Sequence, residues 1–471
     1  MRTIDTVYID GQFVTPHGQE LFDLFNPATE RKIGQVRLGD AVDARAAVAA
    51  AKRAFPAYAR TSKAERIALL RRLHDAVAAR GDALAAAMME EYGAPQAFVG
   101  FSVAHAANLF LDMAQTLEAF AFTQEVGGAA VTRQPVGVVA AISPWNSSIG
   151  SVCSKLATAL AAGCTVVIKP SEMSATQTQV LAEALHEAGL PPGVFNIVNG
   201  RGEVVGAELS SHPDVAKVSF TGSTAVGRSI MRSGAETMKR VTLELGGKGP
   251  NIILADADVE AAVSTVVSVG FLNSGQACIA GTRVLAPRSR LPEVLERLKT
   301  AVAALKVGES TDPAVRVGPM VSQKQWDRVQ SYIRLGLEEG GELLVGGEGR
   351  PAGLERGWFV QPTVFTGVSN DMRIAREEIF GPVLCVIPYD DEEEAIAIAN
   401  DSPYGLQAYV ESADVAHARR VAGRLDCGRV TINGAPHAPL APFGGFKQSG
   451  IGREYGRYGL EAHLEVKAIL G

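Results

Sequence analysis

The chain is poor in cysteine. It has five in 471 residues, Cys153, Cys164, Cys278, Cys385 and Cys427, and they are odd in number and widely spaced. No C-x-x-C pair occurs, so neither a disulfide framework nor a metal site of the zinc type is expected. A reducing compartment, the cytoplasm, fits best. There is no excess of positive charge either: 45 lysines and arginines stand against 51 aspartates and glutamates, a net charge of −6. No basic tract appears, which argues against a nucleic-acid partner. No uninterrupted apolar run reaches membrane-spanning length. The stretch Met1-Arg2-Thr3-Ile4-Asp5-Thr6 lacks the apolar segment of a signal peptide. No membrane partner is expected.

What is present reads as a large soluble α/β protein. A chain of 471 residues is too long for one core, so two or three domains are expected. Its 49 glycines imply many tight turns and close backbone approaches. Val7-Tyr8-Ile9 and Phe13-Val14 flank Asp10-Gly11, a hairpin signal. Two helices follow, one capped by Asp40 and one opened by the capping box Ser62-Lys63-Ala64-Glu65. Ile67, Leu70, Leu73 and Val77 give the second an apolar stripe, read as core.

From about residue 136 strands and helices alternate. Val136–Ile142, Thr165–Ile168, Val194–Val198 and Val215–Phe220 read as strands. The first is continuously apolar, as in a strand buried on both faces. Helices near 150–162 and 174–188 lie between them. Such βαβ units predict a parallel sheet with helices on both faces, binding ligands beyond the C-terminal strand ends. A second α/β region runs from about 246 to 435. Its expected strands are Thr282–Leu285, Val383–Ile387 and Arg429–Ile432, with helices near 291–305 and 322–340. The acidic run Asp390–Glu394 suits a helix start.

Three segments fall at ends of the first set of strands: Ser143-Pro144-Trp145-Asn146, Lys169-Pro170-Ser171-Glu172 and Phe220-Thr221-Gly222-Ser223. Gly222-Ser223 opens a helix, where free N–H groups favour a phosphate; ordinary capping is the alternative. Lys169 and Glu172, one helical turn apart, could grip ribose hydroxyls or form a simple ion pair. Their shared location favours a dinucleotide. Gly200–Gly206 resembles a dinucleotide fingerprint with one extra residue, a weak match, and is read as a loop with glycine turns. Glu244, in Leu243-Glu244-Leu245-Gly246-Gly247-Lys248, sits at a strand end beside two glycines. In apolar surroundings it would have a raised pKa and serve as a general base; a salt bridge to Lys248 is the alternative. Cys278 stands in Gly275-Gln276-Ala277-Cys278-Ile279-Ala280-Gly281, where small neighbours leave room for another molecule. A reachable thiolate is a strong nucleophile; a small core residue is the alternative.

Taken together these segments resemble the aldehyde dehydrogenase family. To them are added Glu377-Glu378-Ile379-Phe380-Gly381-Pro382 and Pro442-Phe443-Gly444-Gly445-Phe446-Lys447-Gln448-Ser449-Gly450, and the likeness covers essentially the whole chain. It implies a Rossmann-like coenzyme domain (1–116 and 136–245), a second α/β catalytic domain (246–435) and a small β-flap for oligomerisation (117–135 and 458–471), hence a homodimer or homotetramer. It implies NAD-dependent oxidation of an aldehyde. Cys278 would form a thiohemiacetal and then a thioester. Asn146 and the Cys278 N–H would hold the oxyanion, and Glu244 would activate water for hydrolysis. Glu454 would relay protons. Trp145, Lys169, Ser171, Glu172, Gly222, Ser223, Glu378 and Phe380 would bind coenzyme. Glu172 favours NAD, with NADP as the alternative, because a carboxylate there repels a 2′-phosphate.

The chain departs from the family's pattern where substrate would enter. Ser147-Ser148, Gly150, Ser151 and Ser154 stand where many relatives carry bulkier residues, and Ala277 precedes the nucleophile. With Phe443 and the loop Gly434–Pro439 these predict a wide entrance and a bulky or aromatic aldehyde. His437 in that loop is either a polar substrate contact or a solvent-facing residue. Three rival readings remain: a CoA-acylating dehydrogenase, disfavoured by Glu244; a non-catalytic protein on the same scaffold; and a cysteine hydrolase, disfavoured because no histidine lies in a matched segment.

Overall fold

The local signals fold as their chemistry dictates. In the computed structural model, which describes residues 2–471, Asp10 and Gly11 take the left-handed conformation that a two-residue hairpin needs. Asp40 and Ser62 each close a reciprocal capping box, on helices Ala41–Tyr58 and Lys63–Ala79; such a cap contributes about 1 kcal/mol. Helix Ser148–Ala162 stops at Gly163, which has φ +90°. A side chain is excluded there for a second reason, since a Cβ would lie 2.5 Å from the Arg66 guanidinium. That guanidinium caps the helix end by donating to the Ala161 and Ala162 carbonyls.

Two sheets organise the chain. The first has eight strands in the order Gly450–Ile451, Arg240–Glu244, Val215–Thr221, Val138–Ile142, Thr165–Lys169, Phe195–Ile197, Val7–Ile9, Gln12–Val14. Its five strands from Arg240–Glu244 to Phe195–Ile197 are parallel, and the outer ones pair antiparallel with their neighbours. Val138–Ile142 is buried at every position. The second has seven strands: Glu342–Val345, Thr363–Thr366, Val383–Tyr389, Arg283–Pro287, Pro250–Ile253, Gln407–Glu411 and Arg429–Ile432. All its pairs are parallel except the first. Each half is therefore built on a mainly parallel sheet, as alternating strands and helices predict. Five residues, 245–249, join Glu244 at the end of one sheet to Pro250 at the start of the other. The C-terminal edge of the first sheet thus meets the N-terminal edge of the second.

A separate three-stranded sheet pairs Leu464–Ile469 with Ala129–Pro135 and Thr123–Val126. Its first strand begins later than residue 117, because helix Gln96–Ala119 runs through that position. That helix is long and apolar enough by composition to cross a membrane. Its apolar side is spent within the protein, in one core with helices Lys63–Ala79 and Ser148–Ala162. The segment expected as a loop at Gly200–Gly206 is instead a wide helical turn, Gly202–Gly206, running into helix Ala207–Ser211. Gly200 forms a bridge to Gly39, and a Cβ on it would lie 2.3 Å from Val205. Packing, not ligand approach, requires glycine there.

Candidate active site

Strand register aligns the candidate residues. Ile142 lies opposite Lys169 and Phe220, and Thr221 lies opposite Glu244. Asn146, Lys169, Gly222 and Glu244 therefore follow or end neighbouring parallel strands along one edge, where open α/β sheets bind ligands.

The Cys278 loop crosses to this edge from the second sheet, and it is held by side-chain amides. Asn273 and Ser274 both have positive φ, 52° and 59°, a strain of order 1–2 kcal/mol each. Asn273 Nδ2 donates to the Asn146 and Gln276 carbonyls, both at 3.1 Å. Ser274 Oγ accepts from Gly318, and Gln276 bonds Pro319 and Val321. Gly275 must be glycine, because a Cβ would sit 2.1 Å from the Gly381 carbonyl. Asn146 Nδ2 donates to the Gln276 carbonyl at 2.9 Å, so one of its two amide hydrogens is spent on the loop. Burial, then Glu378 and Glu244, push the Cys278 thiol up to about 12, while the N–H groups of Cys278 and Ile279 pull the other way. The thiol of the free protein is protonated at neutral pH and needs a base.

Such a base is present. Glu244 is buried, and among the described residues neither of its carboxylate oxygens has a partner. Burial, reinforced by Glu454, raises its pKa well above the carboxylate range. The alternative of a salt bridge to Lys248 is overturned: the Lys248 amine is buried and has no hydrogen-bond partner either. Gly444 makes room for Glu244, since a Cβ there would lie 2.8 Å from Glu244 Oε1. Glu454 is brought alongside by paired backbone bonds to Phe443, 3.0 and 2.7 Å. It forms an ion pair with the buried Lys155, which also donates to Ser219 at 3.2 Å. Nothing in the sequence singles out Lys155, a lone cation in an otherwise apolar helix.

The candidate coenzyme residues lie along the other side of the edge. Lys169 and Glu172 pair at 3.2 Å, and Arg201, held by Glu20, comes within 3.6 Å of Glu172. Ser171 caps the turn Glu172–Ser174. Ser223 caps helix Thr224–Ala235 through Val226, leaving the Thr224 and Ala225 amides without a protein acceptor. Glu378 Oε1 accepts from Gly247 at 2.9 Å, and burial pushes this carboxyl up to about 7. A Cβ on Gly246 would lie 2.6 Å from Glu378 Oε2. Trp145 packs edge-on against Phe380, centroids 5.3 Å apart, and Phe380 has φ +64°.

On the opposite side of Cys278 is a cavity of about 220 Å³. Ser147, Ser151, Ser154, Ala277, His437 and Phe443 all line it, with Cys278, Asn146, Glu244 and Glu454. His437 thus faces the cavity mouth as well as solvent. None of Trp145, Lys169, Ser171, Glu172, Gly222, Ser223, Glu378 or Phe380 lines it. The room left by the serines is partly refilled by Phe98, Phe101 and His105 of helix Gln96–Ala119 and by Tyr455. Sequence patterns do not mark these residues as part of the site. Their one signal is helical spacing at 98, 101 and 105, which a core stripe shares.

A thiol between a polar strand-end cleft and an aromatic cavity, on two parallel sheets, defines an α/β enzyme with a cysteine at its centre. Comparison with known proteins gives the family. The sequence model of the aldehyde dehydrogenase family matches residues 13–469, and the chain belongs to that family: it is an aldehyde-oxidising enzyme. It is 48% identical over 473 residues to a 3-succinoylsemialdehyde-pyridine dehydrogenase of a Pseudomonas species, covering 100% of this chain and 99% of the relative. Its fold superposes on aldehyde dehydrogenase C of Pseudomonas syringae, a mutant complexed with NAD+ and octanal, with TM-score 0.98 and 44% identity over 99% and 96% of the two chains. For the aldehyde dehydrogenase of Mycobacterium tuberculosis complexed with NAD+ the values are 0.97 and 42%, over 100% and 98%.

Proposed function

We propose that the protein oxidises a bulky, aromatic aldehyde to the carboxylic acid with NAD, through a thioester on Cys278. The observation that carries this is the placement of one thiol, one unpartnered buried carboxylate and one partly free amide around a cavity walled by aromatic rings. Glu244 takes the thiol proton, and Cys278 Sγ bonds to the aldehyde carbon. The second Asn146 amide hydrogen and the Cys278 N–H receive the oxyanion; such donors are worth about 3 kcal/mol each. Glu244 first passes that proton on through Glu454, which is paired to Lys155; it then takes a proton from the water that cleaves the thioester and returns it to the departing Cys278 thiolate. A base with a raised pKa suits both transfers.

The residues present fit the coenzyme. The free Thr224 and Ala225 amides suit a pyrophosphate. Glu378 Oε2 and the Lys169–Glu172 pair suit ribose hydroxyls. Gly222 leads into that helix start with no room for a side chain, since a Cβ there would lie 2.4 Å from the Phe220 ring. Ser171 holds the turn that carries Glu172, and we assign the packed pair Trp145 and Phe380 to the same coenzyme side. NAD, when bound, accepts the hydride. Glu172 favours NAD, and Lys169 and Arg201 beside it are the cations that could meet a 2′-phosphate. Glu244 favours water over CoA as acyl acceptor.

We assign residues 1–122 and 136–245 to coenzyme binding, 246–435 to catalysis, and 123–135 with 458–471 to assembly, the first boundary moved past helix Gln96–Ala119. Val126 and Val466 are exposed on one face of the three-stranded sheet and Ile469 on the other, with Leu470 exposed after it, apolar side chains suited to a second copy and hence to a homodimer or homotetramer. All five cysteines are free, in keeping with the cytoplasm. The relative's pyridine-bearing semialdehyde is in keeping with an aromatic substrate. The test is NADH formation over aliphatic, aromatic and amino aldehydes without CoA. Benzaldehyde should exceed acetaldehyde in kcat/KM, and Cys278→Ala should be inactive. Preference for acetaldehyde would refute the aromatic assignment, and activity in Cys278→Ala would refute the nucleophile.

A further inference from the structure

One cavity residue is out of keeping with aromatic walls. Arg429 opens strand Arg429–Ile432, is half-buried, and lines the cavity. Among the described residues its guanidinium makes no ion pair, and its side chain makes one hydrogen bond, from Nη2 to His437 Nδ1 at 3.0 Å. A partly buried cation without a counter-charge is costly, and proteins ordinarily pair such groups.

The bond to Arg429 also sets the state of His437. Nδ1 accepts, so the proton of the neutral ring is on Nε2, which becomes a donor. Burial, Arg429 and His105 push the His437 pKa down to about 4, so the ring stays neutral around pH 7 and cannot itself repel the guanidinium. His437 is braced edge-on by His105, centroids 5.3 Å apart, and His105 stacks on Phe101 at 5.6 Å. The cavity's two carboxylates do not neutralise Arg429. Glu454 is paired to Lys155, and Glu244 has no hydrogen-bond partner. The mouth therefore presents the remaining N–H groups of the guanidinium and an imidazole N–H, set among ring faces, and among the described residues no acceptor lies within hydrogen-bond distance of them.

We infer that Arg429, positioned with His437, selects the end of the substrate remote from the formyl group, and that the enzyme prefers aldehydes carrying a carboxylate there. A guanidinium binds a carboxylate through two parallel bonds, which gives direction as well as attraction. This rests on the reading that Cys278 takes the formyl group in this cavity. It adds a charge requirement to a site otherwise defined by bulk.

The test compares matched substrates on the full-length enzyme. 4-Formylbenzoate is set against 4-isopropylbenzaldehyde, nearly the same shape without charge, and 6-oxohexanoate against hexanal. Wild type should prefer the carboxylate of each pair by about tenfold or more in kcat/KM. Arg429→Met should reduce kcat/KM for the carboxylates by about 10- to 100-fold, mainly through KM. It should leave the neutral partners within about threefold, which also reports that the variant is folded. Arg429→Lys should recover part of the loss. Equal use of both members of each pair by wild type, or equal loss of charged and neutral substrates in Arg429→Met, would overturn the inference. The two readings fail separately. Poor use of both benzaldehydes with a preserved preference for 6-oxohexanoate would remove the aromatic assignment and keep the carboxylate. Good use of both benzaldehydes without preference would do the reverse.

Discussion

The two sheets contribute to one site from opposite edges. The eight-stranded sheet follows the general rule for open parallel sheets: Asn146, Lys169, Gly222 and Glu244 lie at or just beyond the C-terminal ends of its strands. The seven-stranded sheet breaks that rule. Cys278 and Glu378 precede strands Arg283–Pro287 and Val383–Tyr389, and Arg429 begins its own. Two buried ionisable groups beside these edges are also treated differently. Arg283 is buried five residues past Cys278, and its guanidinium donates to the Lys248, Ile398 and Ala399 carbonyls and to Asn370, all at about 3 Å. Glu244 is buried to a similar degree with no partner. A satisfied buried charge builds structure; an orphaned one stores reactivity at a cost in stability.

Three substitutions probe that contrast. The largest effect is expected from Glu244→Gln, which should lower steady-state kcat by about 10²- to 10⁴-fold, the range for a lost general base. It should also raise Tm by about 1–3 °C at pH 8. The sign follows from linkage. Folded Glu244 keeps its proton above the pH at which the unfolded chain loses it, so wild-type stability falls as pH rises from the unfolded carboxyl pKa through the raised folded one. Glutamine removes that fall, and calorimetry across pH 5–9 reads it. Arg283→Met should act oppositely, costing about 3 kcal/mol in chemical denaturation by orphaning its carbonyl acceptors. The folded fraction should keep its KM values. The smallest effect is expected at the coenzyme side. Glu172→Gln should raise the ratio of NADP to NAD kcat/KM by about tenfold, by removing the charge that repels a 2′-phosphate and freeing Arg201 to meet it.

The sequence makes the first sheet more legible than the second. Val138–Ile142 betrays itself by continuous apolarity, and Asp40, Ser62 and Gly163 mark helix ends by chemistry contained within a few residues. Once those strands are recognised, the C-edge rule alone locates Asn146, Lys169 and Glu244. Cys278, Glu378 and Arg429 obey no such rule. The first two stand out only through short motifs, and Arg429 through nothing. Gly200–Gly206 misleads because its first glycine, Gly200, answers to packing against Gly39 and Val205. Phe98, Phe101 and His105 reach the cavity from a helix whose apolar spacing is that of any core helix. The Lys155–Glu454 pair spans 299 residues of chain, a contact that exists only after folding.

The orphaned carboxylate of Glu244 is the point on which the rest depends, and single-turnover kinetics reach it directly. Glu244→Gln mixed rapidly with NAD and 4-formylbenzoate or benzaldehyde should release about one NADH per active site, more slowly than wild type, and then nearly stop. The thiol can still lose its proton to solvent, whereas the thioester waits for the missing base. Continued turnover at the wild-type rate after that burst would contradict the assignment of Glu244 as the base for hydrolysis.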